Sequence, residues 1–276
     1  MSKPILPFLE TMITQVCNLS CAGCTNYSDL EHKGYVKWED GKQQLESWLE
    51  RLDIPDFGIM GGEPLINPQW RRWLYGVREL MPTSQIRFTT NGLLLRKYPG
   101  IIDEMIEVGN VVFKITAHTA DADDFIEHAL STHNFETVEE YGIKRWRGDN
   151  NIRFQVNRPE RFVKTFRGTY ATMTPHHSVP ELAFDNCCQQ TCPLLYNGRI
   201  YKCSTAGLLR DTLNRFDRPL EEWQDYLHDG IGTDSSDLAV EQFIANFGRP
   251  AIVCGQCPTA EDTASVIIHA DTVLYK

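Results

Sequence analysis

No apolar run in this 276-residue chain approaches the roughly 18 residues needed to span a bilayer, so no membrane partner is expected. Positive charge is not in excess either. The 27 Lys and Arg stand against 37 Asp and Glu, and a net charge of −10 argues against nucleic acid as a partner. The start, Met1-Ser2-Lys3-Pro4-Ile5-Leu6-Pro7, has no long apolar stretch and no small-residue cleavage site, so no secretory signal is expected. Internal repeats and low-complexity tracts are absent too. What the chain does have is cysteine, nine in all. Without a signal peptide these suggest a reducing, cytoplasmic setting, where thiols serve as metal ligands. With 42% hydrophobic and 23% charged residues the composition is that of an ordinary globular protein able to bury a sizeable core.

The first 160 or so residues alternate short β-rich runs with helical patterns, as parallel α/β folds do. Strands are expected at Leu9–Thr14, Phe57–Met60, Ile86–Thr90, Val111–Ala117 and Ile152–Val156. Helices are expected at Trp38–Arg51, Pro68–Leu80, Ile101–Val108 and Asp121–Ala129. Apolar faces on the first two (Leu45, Trp48, Leu49, Leu52; Trp70, Trp73, Leu74, Val77) mark the tryptophans as packing residues rather than a stacking box. Such units give a barrel-like sheet with its site at the strand C-terminal ends. Beyond Phe184 segments shorten, and Asn197-Gly198 between two apolar runs signals a β-hairpin. A boundary is therefore expected near residue 184, dividing the chain into 1–183 and 184–276. Gly230–Asp237 reads as a polar loop.

Cys17, Cys21 and Cys24 follow the first expected strand with the spacing C-x3-C-x2-C. Cluster-building motifs normally supply four Cys, so three thiolates on a four-iron cluster leave one iron open to a ligand. Zinc motifs pair C-x2-C with a second pair, which is lacking before His32. At the end of the second strand stands Gly61-Gly62-Glu63-Pro64, whose glycines allow close backbone approach and whose Glu63 offers an acceptor for an amine.

Together these residues resemble the radical S-adenosylmethionine (radical SAM) superfamily. The resemblance implies a partial (β/α)6 TIM-like barrel in an α/β chain, and a 4Fe–4S cluster on Cys17, Cys21 and Cys24 that binds S-adenosylmethionine. It implies that Gly61, Gly62 and Glu63 meet the methionine amine. Thr116, and more weakly His118, take the place of the family's ribose contact, and Asn91 in Thr89-Thr90-Asn91-Gly92 points to the site mouth. Gly23 stands where the family usually has an aromatic residue whose backbone meets adenine, so an adenine contact is through backbone there or comes from elsewhere.

A second group comprises Cys187, Cys188, Cys192, Cys203, Cys254 and Cys257. The arrangement C-x9-Gly-x4-C from Cys188 to Cys203, followed by Cys254-x2-Cys257, is similar to the twitch form of the SPASM module. That likeness implies a small C-terminal β-hairpin and helix module holding an auxiliary 4Fe–4S cluster. Hairpin register sets Cys192 opposite Cys203, while family spacing favours Cys188, and Cys187 is a third possibility for the remaining ligand. A zinc ribbon is the structural alternative. His176 and His177 read as a surface pair in a Pro-containing loop, and Lys114, Lys164, Gln155 and Asn157 as weaker site candidates.

The function implied is reductive cleavage of S-adenosylmethionine to a 5′-deoxyadenosyl radical that abstracts hydrogen from a small hydroxylated substrate, such as a sugar or aminocyclitol, for oxidation or epimerisation. An electron donor such as flavodoxin or ferredoxin is the implied partner. Alternatives are a peptide-modifying maturase, against which the early first strand leaves no room for a leader-recognition domain, and a noncatalytic iron–sulfur or zinc scaffold.

Overall fold

Period-two alternation in the central strands separates an apolar face from a polar one, and that separation sets the architecture. In the computed structural model, which describes residues 3–117, 123–140, 143–158, 161–227, 230–262, 267–269 and 274–275, thirteen strands and seven α-helices are seen among the described residues. The strands are β1 (Leu9–Met12), β2 (Leu19–Ser20), β3 (Asp56–Met60), β4 (Gln85–Thr90), β5 (Val111–Thr116), β6 (Glu136–Glu140), β7 (Ile143–Arg147), β8 (Arg153–Asn157), β9 (Arg161–Val163), β10 (Leu194–Tyr196), β11 (Arg199–Tyr201), β12 (Ile267–His269) and β13 (Leu274–Tyr275). The helices are α1 (Trp38–Leu49), α2 (Trp70–Leu80), α3 (Ile101–Val108), α4 (Asp123–Thr132), α5 (Pro180–Asp185), α6 (Ser204–Arg215) and α7 (Asp237–Ala245).

Nine strands form one sheet in the order β11-β10-β1-β3-β4-β5-β8-β7-β6. The six from β10 to β8 run parallel, and an antiparallel extension closes each edge. This is an α/β partial barrel with six parallel strands, as expected from the alternation and from the resemblance. The sixth parallel strand, however, is supplied from beyond residue 184. The hairpin β10–β11 turns at Asn197 and Gly198, both at positive φ (49° and 77°), as a type I′ turn requires, and it joins the main sheet beside β1.

Ile86 and Phe88 of β4, Phe113 and Ile115 of β5, and Phe154 of β8 face the helices. There they meet Trp48, Trp70 and Trp73, each no more than 1% exposed, so these tryptophans are packing residues. Most alternate positions are polar and half-buried or exposed (Glu10, Arg87, Thr89, Lys114, Thr116, Gln155 and Asn157), with Met12, Met60 and Val112 sharing that face. A closed barrel fills its interior with branched apolar side chains. This one leaves its concave side mostly polar. A second core gathers Met12 and Tyr27 with Leu194, Leu208, Leu209, Leu213, Trp223 and Val253, packing the C-terminal segments against the cysteine loop after β1. No helix among the described residues is long and apolar enough to cross a membrane.

Candidate functional site

The loop between β1 and α1 carries Cys17, Cys21 and Cys24, and it is held at both ends by one buried side chain. Asn67 Nδ2 donates to Ile13 O at 2.9 Å and to Val36 O at 3.0 Å. Within the loop Cys24 N–H donates to Cys21 O at 3.0 Å, closing a four-residue turn. Gly23 occupies its third position at φ 78°, a left-handed conformation that an L side chain rarely adopts. The turn thus accounts for glycine where an aromatic residue is usual.

The loop after β3 lies directly on this segment. Gly62 N–H donates to Thr14 O at 2.9 Å and Glu63 N–H to Val16 O at 2.8 Å. A Cβ on Gly61 would stand 2.6 Å from Thr14 O, and one on Gly62 2.5 Å from Val16 O. The glycines therefore serve the approach of two backbone segments. Glu63 is fully buried and already accepts three hydrogen bonds: Leu65 N–H at 3.1 Å and Thr90 Oγ1 at 2.7 Å to Oε1, and Asn91 N–H at 2.7 Å to Oε2. Sequence reasoning expected this carboxylate to be offered to an amine. In the structure it also joins the loops after β3 and β4, with a single donor on Oε2. Burial pushes its pKa up to about 7, against the opposing pull of those three donors.

Asn91 completes the connection. Its Nδ2 donates to Asn18 Oδ1 at 2.7 Å and approaches Cys17 Sγ at 3.8 Å, while Leu19 N–H donates to the same sulfur at 3.4 Å. Two N–H groups aimed at one sulfur suit a thiolate. Burial pushes the Cys24 thiol up, with Asp29 adding to the effect, so without a bound metal the proton stays on. Buried thiols that favour the protonated form until metal displaces the proton, together with donors at Cys17, fit a metal-cluster ligand set. Thr116 lies at the C-terminal end of β5, half-buried and in register with Asn157, whose Oδ1 accepts from Gln155 Nε2 at 2.8 Å. His118 lies outside the described residues.

In the second cysteine group, Cys203, Cys187, Cys254 and Cys188 all act on the Cys257 thiol, and Cys188 also acts on Cys187. Burial pushes Cys187 up to about 11, Cys203 up to about 12, and Cys257 well above the usual thiol range. Cys192 instead has Glu10, Lys114, Cys188 and Arg87 as its neighbours, and Cys188 feels mainly Lys114 and Glu10. The expectation that Cys192 faces Cys203 is not how the hairpin ends. Its ladder begins at Leu194, and the Pro193 carbonyl accepts Glu10 N–H from β1 at 3.0 Å. Cys187, Cys203, Cys254 and Cys257 thus act on one another, while Cys192 is influenced by Glu10, Lys114 and Cys188. Among the described residues no three His, Cys, Asp or Glu side chains converge on a single-ion site.

His176 is 4% exposed, which corrects the surface reading of the pair. Its Nδ1 lies 3.4 Å from Arg167 Nε, and burial lowers its pKa. His177 is exposed at φ 55°, with Nδ1 3.0 Å from Tyr226 Oη. Sequence reasoning missed Asn67 and Gln189. Both are polar side chains whose partners are distant in sequence, and only Asn67's position just after Gly-Gly-Glu-Pro hinted at a part in the site.

Comparison with known proteins agrees with this geometry. The Radical SAM superfamily matches residues 11–145, a stretch that contains the cysteine triplet, Gly61–Glu63, Asn91 and Thr116 and ends before the second cysteine group. Similar curated proteins are the GTP 3′,8-cyclases of Petrotoga mobilis (31% identical over 96 residues, 34% of this chain and 29% of that one) and Clostridium acetobutylicum (28% over 126 residues, 44% and 37%). The matched region spans about a third of the length of these relatives. Among solved structures, BtrN in complex with AdoMet and 2-DOIA is 12% identical, with 97% of this chain and 100% of that one covered at a TM-score of 0.49. Streptococcus suis SuiB bound to S-adenosylmethionine is 21% identical over 46% of this chain and 28% of that one, with a TM-score of 0.36. Residues 11–145, just short of half of the chain, thus match the Radical SAM superfamily.

Proposed function

We propose that this enzyme cleaves S-adenosylmethionine reductively and abstracts hydrogen from a small hydroxylated substrate, a sugar or aminocyclitol, leading to its oxidation or epimerisation. One observation carries the reading of the first site: the chain Cys17–Asn91–Glu63 joins the loops after β1, β3 and β4 at the C-terminal end of the sheet. Cys17, Cys21 and Cys24 would hold a 4Fe–4S cluster, and Gly61, Gly62 and the remaining acceptor capacity of Glu63 would meet the methionine end. When bound, the cluster supplies the electron that breaks the C5′–S bond of S-adenosylmethionine and releases the 5′-deoxyadenosyl radical.

The chain's own residues bind, orient and exclude water. Gly23, Asn91 and Thr116 stand around the strand ends and are the candidates for the adenosine contacts. The polar concave face, with Glu10, Lys114, Gln155 and Asn157, supports a hydrogen-bonding substrate over an apolar one. Burial pushes Glu10 up to about 8, against the opposing charges of Lys114 and Arg87, so near neutrality it exists in both forms and either donates or accepts. Cys187, Cys203, Cys254 and Cys257 would form a twitch-like auxiliary 4Fe–4S site. That refines the ligand set by replacing Cys188 and Cys192 with Cys187. Residues 184–276 supply that site, a low-potential donor such as flavodoxin or ferredoxin would supply electrons, and the protein would act in the cytoplasm.

The curated relatives named GTP 3′,8-cyclase match only part of the chain, so they support the radical-generating half of the proposal and not a nucleotide substrate. Anaerobic reconstitution tests the reading. About eight irons per chain and 5′-deoxyadenosine release under dithionite are expected. Absence of cleavage by a fully loaded chain would sink it, and about four irons with one zinc would remove the auxiliary cluster.

A further inference from the structure

Thr25, the residue after Cys24, and Ser204, the residue after Cys203, are joined by one side chain. Gln189 Nε2 donates to Thr25 Oγ1 at 3.1 Å and to Ser204 Oγ at 2.7 Å, while its Oε1 accepts from Thr205 Oγ1 at 3.3 Å. The backbone N–H of Gln189 donates to Cys187 Sγ at 3.2 Å. Thr25 O in turn accepts from Thr205 Oγ1 at 3.2 Å and from Ser204 Oγ at 3.5 Å. Ser204 and Thr205 are buried, and Gln189 and Thr25 are half-buried. One glutamine therefore contacts a thiol of the second cysteine group directly. Through Thr25 it also reaches the first group, one residue from Cys24.

We propose that Gln189, with Thr25, Ser204 and Thr205, is the route by which an electron passes between the two cysteine-held centres. This rests on the reading that both groups carry iron–sulfur clusters. The step moves one electron and no atom or proton. The reduced second centre gives up the electron, the oxidised first centre gains it, and a low-potential one-electron reductant such as dithionite supplies it at the outset. Gln189 here is a positioning residue, not a catalytic one. Its bonds fix the covalent and hydrogen-bonded path from Cys203 and Cys187 to Cys24. A second shared neighbour, Tyr27, is 1% exposed, donates its backbone N–H to Cys24 O at 3.0 Å, and has Cys257 and Cys203 among the charges acting on its phenol.

The test uses the full chain, anaerobically loaded with iron and sulfide, as unsubstituted protein, Gln189→Ala and Thr205→Val. Substoichiometric dithionite is added, and freeze-quench EPR follows the redistribution of the electron between the two reduced-cluster signals. Iron content and the power saturation of each signal are recorded alongside. The expected result is full iron in all three proteins, with redistribution slowed roughly tenfold in Gln189→Ala and less in Thr205→Val. Unchanged redistribution at full iron content would overturn the route. Loss of iron from the variants would also overturn it, assigning Gln189 to assembly of the site. If instead the unsubstituted chain holds only one cluster, the two-cluster reading itself has failed, and the iron content shows this before any variant is compared.

Discussion

The backbone N–H of Asn91 donates to Glu63 Oε2 at 2.7 Å, so the loop after β4 hangs on a carboxylate from the loop after β3. The side chain of the same Asn91 reaches Asn18 and the sulfur of Cys17. Glu63 and Cys17 are 46 positions apart in the chain, yet a single residue ties them. The motif Gly-Gly-Glu-Pro thus works here as scaffolding for the cysteine loop.

Glu63→Ala strands three donors in a site without solvent. The expected cost is roughly 3 kcal/mol of folding stability, read from urea denaturation of the unloaded chain. A cost below roughly 1 kcal/mol would mean that water or another acceptor replaces the carboxylate.

The Glu63 carboxyl also makes a pH dependence. Its folded-state pKa is raised from 4.5 to about 7, so between those values the folded protein holds a proton that the unfolded chain releases. Stability from this group is fully present below about pH 4.5 and is lost as pH rises through about 7. Urea midpoints measured across that window should decline less steeply in Glu63→Gln than in the unsubstituted protein. Parallel slopes would show that the carboxyl titrates normally.

Gly62→Ala places a Cβ 2.5 Å from Val16 O and 2.7 Å from Gln15 O, both backbone atoms of the cysteine loop. The loop has to shift, and the expected result is loss of about half the reconstituted iron, with the second site's absorbance retained. Gly23→Ala strains a left-handed position and should be milder, costing roughly 1 kcal/mol in stability.

Serine replacements resolve the second cysteine group. Cys187→Ser, Cys203→Ser, Cys254→Ser and Cys257→Ser should each fall from about eight to about four irons, whereas Cys188→Ser and Cys192→Ser should keep about eight. Retention of iron by Cys187→Ser together with loss by Cys192→Ser would reverse the assignment.

The central strands were legible because alternation of apolar and polar residues survives in a sheet that is packed on one side only. The expected Ile86–Thr90 and Val111–Ala117 differ from β4 and β5 by one residue at an end. The hairpin β6–β7 was not anticipated. Glu136–Glu140 is mostly polar on both faces, and such a strand at a sheet edge gives no hydrophobic signal. The two cysteine motifs and the Asn-Gly turn were readable from spacing. The arrangement of the second cysteine group was not, because it depends on contacts across more than 60 residues from Cys187 to Cys257. For the same reason the employment of Glu63 inside the scaffold, and the bridge made by Gln189, could not be read. A hydrogen bond between distant loops leaves no periodicity behind.

β1 lies between β3 and β10, so it is an interior strand of the sheet although it precedes both neighbours in the chain. Its second neighbour emerges more than 180 residues later. During synthesis one edge of β1 stays bare, a row of unpaired N–H and C=O groups able to recruit a strand from another chain. The segment from Leu194 onwards thus acts as a shield for β1, and a chain stopped short of Leu194 would be prone to self-association even with every residue of the first cysteine loop in place.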